Sequence, residues 1–365
     1  MPTVNYRSSA LSMTDIVSDS AAHRSILVIR LSAMGDVVMA SGLVGALRAR
    51  YPGARLAWLV QPEAKDLLAA NPALDEVIIW PRGEWRRLAR TFRWWRLARE
   101  MRAFTATLKA LRFDLAIDAQ GLLKSSVWAW LSGARERIGL RPKEGSQRLM
   151  TRVVEPGPQD RFIGSEYRHL SRSLGFDGEY RMQVVLTEDD RKFAEDVIAR
   201  EGLEKGYAVI CPLTTRPQKR WIEANWPRLV ARLQSDLGLR AIMLGGPGDR
   251  VAAERIGANS GALLVDAAGK TTLRQAAALI ERARLLAGVD TGLTHMGTAF
   301  SIPTIAIFGS TCPYLSTASA KTTVLYKQLD CSPCRRHPTC DGAYTCMRMI
   351  TVDDIIEAAR RIVQP

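Results

Sequence analysis

Nowhere does the sequence hold a run of about eighteen uninterrupted apolar residues, which excludes an ordinary bilayer-spanning helix. An apolar stretch behind a basic start is also missing from residues 1–24, so this polar leader is not read as a secretory signal and is expected to be disordered. The chain is therefore expected to stay in a reducing cytoplasm, where its six cysteines are free or metal-bound rather than paired. Acidic side chains are in deficit: 37 Asp and Glu stand against 51 Lys and Arg, for a net charge of +14. Such a surplus points to an anionic partner, whether nucleic acid, a membrane surface or a phosphorylated substrate. Zinc-finger, homeodomain and RNP patterns are lacking, which sets nucleic acid aside. The G-x-G-x-x-G dinucleotide fingerprint is lacking too, and beyond the leader there are no internal repeats or low-complexity segments.

What is present is the composition of a globular chain, with 47% apolar and 24% charged residues over 365 positions, enough for roughly two domains. Short β-rich runs alternate with helical patterns, the signature of a parallel sheet flanked by helices. In the first half the predicted strands are Ile26 to Leu31, Leu56 to Val60, Glu76 to Trp80 and Leu115 to Asp118, with a helix from about Val37 to Tyr51. The cycle restarts with Tyr207 to Cys211, Arg240 to Leu244, Leu263 to Val265, Leu285 to Val289 and Thr304 to Phe308. Two doubly wound, Rossmann-like α/β domains are expected, over 25–185 and 186–350, followed by a C-terminal segment, 351–365, whose helix starts at Thr351. Ligands in open α/β sheets bind beyond the carboxyl ends of strands, so the cleft between the domains is the natural site.

The charge is concentrated. Between Arg82 and Arg102 eight arginines stand against Glu84 and Glu100, leaving six of the net charges in 21 residues. On one continuous helix, Arg82, Arg86, Arg90, Arg93 and Arg96 share a face beside an apolar stripe of Trp85, Leu88, Phe92 and Trp95. Such a helix suits an anionic membrane surface or the phosphates of a lipid-linked acceptor; an ordinary surface helix packed on its own domain is the plainer alternative.

Four loops carry chemistry. Ser32-Ala33-Met34-Gly35-Asp36 follows the first strand, where Asp36 is either a general base or simply a helix cap. Thr214, Thr215 and Lys219 follow Tyr207 to Cys211 and suit a phosphate cradle, although such residues are also common on surfaces. Asp290, Thr291, Gly292, Leu293 and His295 follow Leu285 to Val289 at a helix start, which offers a pyrophosphate free N–H groups and a positive dipole end. There Asp290 or Thr291 is alternatively only a cap, and His295 only a core residue. Near the end, Cys331, Cys334, Cys340 and Cys346 fall within 16 residues, a spacing that fits a structural zinc or iron site or else free thiols. Its place so late in the chain sets that segment, 331–346, apart from the catalytic centre.

From Ile26 to about Val363 the chain resembles the lipopolysaccharide core heptosyltransferases, inverting glycosyltransferases of family nine with a GT-B fold. The resemblance is carried by the Ser32 to Asp36 loop, the run Phe113 to Leu122 with Asp118-Ala119-Gln120-Gly121, Thr214-Thr215 with Lys219 and Trp221, and Val289 to His295. The first two runs look most like heptosyltransferase I, which adds the first heptose to Kdo on lipid A. The resemblance implies Asp36 as catalytic base, and Thr214, Thr215 and Lys219 on the donor diphosphate, with Lys219 steadying the departing charge. It implies Asp290, Thr291, Gly292, Leu293 and His295 at the ADP-heptose site, and Ser32, Met34, Gly35, Trp85, Arg86, Arg87 and Gln120 toward Kdo-lipid A. It also implies a peripheral position on the cytoplasmic face of the inner membrane and no cofactor needed for catalysis. The leader and the cysteine cluster depart from heptosyltransferase I; relatives with comparable clusters include iron-binding heptosyltransferases that modify proteins. Heptosyltransferase II and protein heptosyltransferases therefore remain alternatives. A nucleotide-sugar epimerase would release free sugar without an acceptor, and a non-catalytic nucleotide-sugar sensor would bind donor without turnover.

Overall fold

The computed structural model describes residues 25–157, 160–176 and 178–363; the expected leader lies outside them. Among these described residues twelve strands form two six-stranded sheets, parallel throughout. The first contains β1 (Ser25–Ile29), β2 (Arg55–Val60), β3 (Glu76–Ile79), β4 (Leu115–Asp118), β5 (Glu136–Leu140) and β6 (Arg152–Val154) in the order β3-β2-β1-β4-β5-β6. The second contains β7 (Tyr207–Cys211), β8 (Arg240–Met243), β9 (Leu264–Asp266), β10 (Leu285–Val289), β11 (Thr304–Phe308) and β12 (Thr322–Tyr326) in the order β12-β11-β10-β7-β8-β9. The two doubly wound α/β units expected from the sequence are present, and the predicted strands form within about two residues of their expected ends. β1, β7, β10 and β11 are buried along their whole length because helices cover both faces, which is why they read as unbroken apolar runs.

Strand order reverses between β1 and β4 in one sheet and between β7 and β10 in the other, so each unit has a topological switch point at those carboxyl ends. The Ser32 to Asp36 loop and Gln120 leave the first; Thr214, Lys219 and Asp290 leave the second. The helix expected over Val37 to Tyr51 forms as Met34–Ala40 and Gly42–Arg50, with Ser41 between them donating its hydroxyl to Val38 O at 2.6 Å. Beyond Gly178 the chain lies along these helices: Tyr180 donates to Met39 O (2.7 Å) and Gln183 N to the Ser41 hydroxyl (2.7 Å). The Glu188–Glu201 helix follows, started by a Thr187–Asp190 capping box and stopped by left-handed Gly202. The C-terminal helix forms over Val352–Ile362, with Thr351 accepting from Asp354 N.

The basic segment departs from expectation. It forms two helices, Arg82–Arg90 and Trp94–Ala110, with Phe92 at a left-handed φ of 57° between them. The presumed stripe is thereby divided. Trp85 and Leu88 are buried in the first unit's core, whereas Phe92 and Trp95 face solvent. Trp85 packs its indole against Trp80, Phe104 and Trp128 at centroid distances of 5.5–6.4 Å. It therefore supports the surface that carries Arg86 and Arg87, both exposed, rather than presenting its own ring for contact.

Candidate active site

At the end of β1 the apolar run continues into Arg30 and Leu31. Arg30 is buried, and its guanidinium reaches Asp36 Oδ2 at 2.5 Å and Ala119 O at 3.3 Å and lies 5.7 Å from the Tyr167 ring centre. Burial works against its charge, but Tyr167, Asp36 and Glu166 together hold the guanidinium above its ordinary value. Asp36 is the third residue of the Met34–Ala40 helix and not its cap; Oδ2 accepts from Ala33 N at 3.1 Å. Among the described residues Oδ1 has no partner, and the side chain is about a third exposed. One oxygen is thus pinned and the other is free to accept a proton.

Gln120 ties the second loop of this switch point to the first, its Oε1 accepting from Leu31 N at 2.9 Å. Asp118 is consumed in shaping that loop, accepting from Ser125 and Ser126 hydroxyls and from the N–H groups of Gln120 and Gly121. Burial pushes its carboxyl up, and those four donors partly offset the shift. Only glycine fits at 121, where φ is 65° and a Cβ would lie 2.1 Å from Leu140 O.

Across the cleft Asp290 organises the second switch point. Oδ2 accepts from Lys219 Nζ at 2.6 Å and from the Thr311 hydroxyl, and Oδ1 faces His295 Nε2 at 3.3 Å. His295 Nδ1 meets the Tyr314 hydroxyl at 3.0 Å. Burial would raise the Asp290 carboxyl; the hydrogen bond and charge of His295 and the ammonium of Lys219 outweigh it and hold Asp290 well below the usual carboxylate range. Thr291 precedes the Gly292–Ala299 helix without a side-chain hydrogen bond to its first turn, so that positive end stays available to an anion. Thr214 stands beside it, 3.5 Å from Asp290 O, while Thr215 is exposed and Leu293 buried.

Two glycines bring the switch points together. A Cβ on Gly35 would lie 2.5 Å from His295 Cδ2, and one on Gly292 would lie 2.9 Å from Met34 Cβ and 3.2 Å from Gly35 N. The loop that carries Asp36 and the start of the Gly292–Ala299 helix are therefore in direct contact.

The cysteine segment is not remote from this place, contrary to what its position in the chain suggests. Ser332 donates to Gly309 O (2.6 Å), Arg335 N to Ser310 O (2.6 Å) and Gln218 Nε2 to Arg335 O (3.3 Å). The segment is thus clasped to the loop that carries Thr311 and to the neighbour of Lys219. All six cysteines are free, and among the described residues no three side chains stand ready to hold a metal.

Sequence reasoning missed four contributors. Arg30 left a signal, a cation inside an apolar strand run. Thr311 and Tyr314 left none, because a loop after β11 brings them in. The fourth, Lys124, is half-buried with no ion pair among the described residues; burial, then the like charges of Arg82, Arg30 and Arg336, push its ammonium below the ordinary value. Cations crowded this way at strand ends suit an anionic ligand.

Paired doubly wound sheets meeting at their switch points, one offering an unpaired carboxylate oxygen and the other an uncapped helix start, are the two-unit architecture of a GT-B fold. Residues 101–344 match glycosyltransferase family 9 (heptosyltransferase), and the chain belongs to that family. It is 30% identical to lipopolysaccharide heptosyltransferase 1 of Pseudomonas aeruginosa over 328 residues, 85% of each chain. Its fold is shared by solved structures that include the following two. The family 9 glycosyltransferase of Veillonella parvula has a TM-score of 0.76 at 20% identity, covering 93% of this chain and 97% of that one. The ADP-heptose lipopolysaccharide heptosyltransferase II of E. coli has 0.71 at 23% identity, covering 93% and 98%. Among the described residues no helix is long and apolar enough to cross a membrane.

Proposed function

We propose that this glycosyltransferase moves L-glycero-D-manno-heptose from ADP-heptose to Kdo of Kdo-lipid A, with inversion, on the cytoplasmic face of the inner membrane. The observation that carries the reading is the packing of Met34 and Gly35, the two residues before Asp36, against the Gly292–Ala299 helix start, in a chain related to heptosyltransferase 1. The ADP-heptose diphosphate lies at the Thr291-Gly292-Leu293 turn, with Thr214, Thr215 and Lys219 on its open side and His295 and Asp290 beneath it. The acceptor lies over Ser32, Met34, Gly35 and Gln120, with Arg86 and Arg87 toward its anionic groups. Asp36 removes the Kdo hydroxyl proton as that oxygen attacks the anomeric carbon opposite the diphosphate, the carbon–oxygen bond to ADP breaks, and the charge passes to the leaving diphosphate. Arg30 keeps the base oriented, and the helix start together with Lys219 answers the charge on ADP, so no cofactor is required for the displacement.

The likeness in fold to heptosyltransferase II supports a second acceptor, an already heptosylated Kdo-lipid A, for the same donor. Incubation with ADP-heptose and either Kdo-lipid A or its mono-heptosylated form, followed by mass spectrometry of the lipid, separates the two. Addition of one heptose to Kdo-lipid A is expected. Addition only to the heptosylated lipid overturns the proposed acceptor, and addition to neither overturns the reaction. We also propose that Cys331, Cys334, Cys340 and Cys346 take up a structural zinc or iron.

A further inference from the structure

The corner between the Arg82–Arg90 and Trp94–Ala110 helices is built unlike the rest of the surface. Six of the nine tryptophans are buried, yet Trp94 and Trp95 stand side by side here, 54% and 88% exposed, beside Phe92 at 79%. Phe92 and Trp94 pack edge to face at 6.4 Å, so the corner presents an organised aromatic ridge. The left-handed backbone at Phe92 ends one helix and sets the start of the next, so the ridge lies at the corner between them. Around it lie Arg86, Arg90, Arg93, Arg99 and Arg102, all exposed and without an acidic partner among the described residues; the two local ion pairs, Arg87–Glu84 and Arg96–Glu100, use the only nearby glutamates. Trp95, Arg99 and Arg102 share one face of their helix at spacings of four and three residues. The helix is anchored from its other side by Leu97, Phe104 and Leu108, which pack on the first unit's core.

We propose that this corner is a membrane-docking wedge. Phe92, Trp94 and Trp95 enter the interfacial layer of a bilayer, and Arg93, Arg99 and Arg102 pair with the phosphates of anionic lipids around them. Charge complementarity selects this occupant: an apolar protein partner would leave five unpaired guanidinium groups at its rim, whereas an anionic lipid surface supplies an acceptor for each. Tryptophan and arginine suit the headgroup region, where an apolar body and a polar tip are both satisfied. The inference rests on the lipid-linked acceptor of the proposed function and gives it a physical purpose. The first of the two helices begins directly after β3, at the carboxyl end of the sheet that holds Asp36, so seating the corner in the membrane brings that edge toward the lipid surface.

Flotation of the full chain with vesicles of phosphatidylglycerol and phosphatidylethanolamine tests the wedge, with phosphatidylcholine vesicles as control. Binding to the anionic vesicles is expected, weakened by high salt, with brominated lipid quenching tryptophan fluorescence. The R93Q/R99Q/R102Q variant should bind about a hundredfold more weakly, at about one kcal/mol per arginine, and W94S/W95S should lose the quenching. Turnover of both variants on a detergent-dispersed acceptor should match the wild type. Unchanged vesicle binding by both variants overturns the wedge. So does a wild-type dimer that becomes monomeric in W94S/W95S without vesicle binding by either form, since the patch would then join two copies of the chain. Vesicle binding by a wild type that transfers heptose to neither lipid would leave the wedge standing and sink the proposed function instead.

Discussion

Arg30 and Asp36 form an ion pair of 2.5 Å at the carboxyl end of β1, and the same Asp36 oxygen takes the Ala33 N–H. With Oδ2 occupied twice, proton transfer falls to Oδ1. Asp36→Asn keeps the shape but removes the acceptor, so turnover should fall by about a hundredfold to ten-thousandfold with ADP affinity within about twofold of wild type. Arg30→Met should lower kcat by roughly tenfold to a hundredfold through misplacement of the carboxylate. Arg30→Lys should recover part of it, and the KM for ADP-heptose should stay unchanged in both. Near-normal turnover in Asp36→Asn would remove it as base, and a loss confined to thermal stability would reduce Arg30 to scaffolding.

Asp290 gives the second unit a pH signature. Folded, its carboxyl is held well below the usual range; unfolded, it takes a proton near pH 4. Its stabilisation is therefore complete above that pH and drains away as the pH falls toward the folded value. Asp290→Asn leaves Lys219, which is partly shielded from solvent, without its anion and should cost about 1–3 kcal/mol at pH 7. In urea unfolding, the gap between wild type and variant should narrow at pH 3.5. A gap of the same size at both pH values would show that the pair with Lys219 is not what stabilises the site.

Much of this fold is written in the sequence because buried parallel strands produce unbroken apolar runs, as at Ile26 to Ile29 and Leu285 to Val289. Strands β5, β6 and β12 escaped notice because they carry polar residues, Glu136 and Arg137, Arg152, and Thr322 and Thr323, in place of such runs. The loops bearing Asp36, Lys219 and Asp290 were legible by their position after strands. Their partners were less so: Thr311 and Tyr314 meet Asp290 and His295 only through folding, and nothing in linear spacing places Cys331 to Cys346 beside Gly309. The corner at Phe92 was missed for a different reason. Arginine and tryptophan repeat at helical spacing through it, and one residue with a positive φ overrides that periodicity without a glycine or proline to announce it.

The contact between switch points depends on two missing side chains. In Gly292→Ala the new methyl meets Met34 Cβ and the backbone at Gly35, neither of which is the free end of a flexible chain. Separating the loops should cost about 1–3 kcal/mol of stability and lower kcat more than it raises the KM for donor. Gly35→Ala presses on the His295 ring instead and should disturb ADP binding as well. Calorimetry with ADP and steady-state kinetics read the two effects, and wild-type values for both variants would show that the cleft opens freely without penalty.

Lys124 makes no ion pair among the described residues, and the like charges of Arg82, Arg30 and Arg336 press on it, offset only in part by Glu144. An acidic acceptor would relieve that crowding. Lys124→Gln should raise the KM for the acceptor by about tenfold, the worth of one charge-assisted hydrogen bond, with the KM for ADP-heptose and the melting temperature close to wild type. An acceptor whose carboxylate has been reduced should bind wild type and variant alike. Equal acceptor KM values for wild type and variant on the native acceptor would place the anion elsewhere in the cleft.

The cysteine segment has little apolar burial to hold it. Within 331–346 only Ser332 and Cys346 are buried, and the clasp is made of hydrogen bonds to Gly309, Ser310 and Gln218. Burial raises the Cys334 and Cys346 thiols, and the other cysteines of the cluster raise them further, so these two side chains favour the protonated form. A metal would reverse that balance by binding thiolates and releasing their protons, and would tie the segment with a strength that few weak contacts supply. Protein from metal-replete growth should therefore carry about one equivalent of zinc or iron. Cys334→Ser with Cys340→Ser should lose it and weaken ADP binding, because the segment backs the Thr311 loop that contacts Asp290. Six titratable thiols in metal-replete protein, with ADP affinity indifferent to chelator, would instead make the cluster a set of free thiols and leave the hydrogen-bonded clasp to position that loop alone.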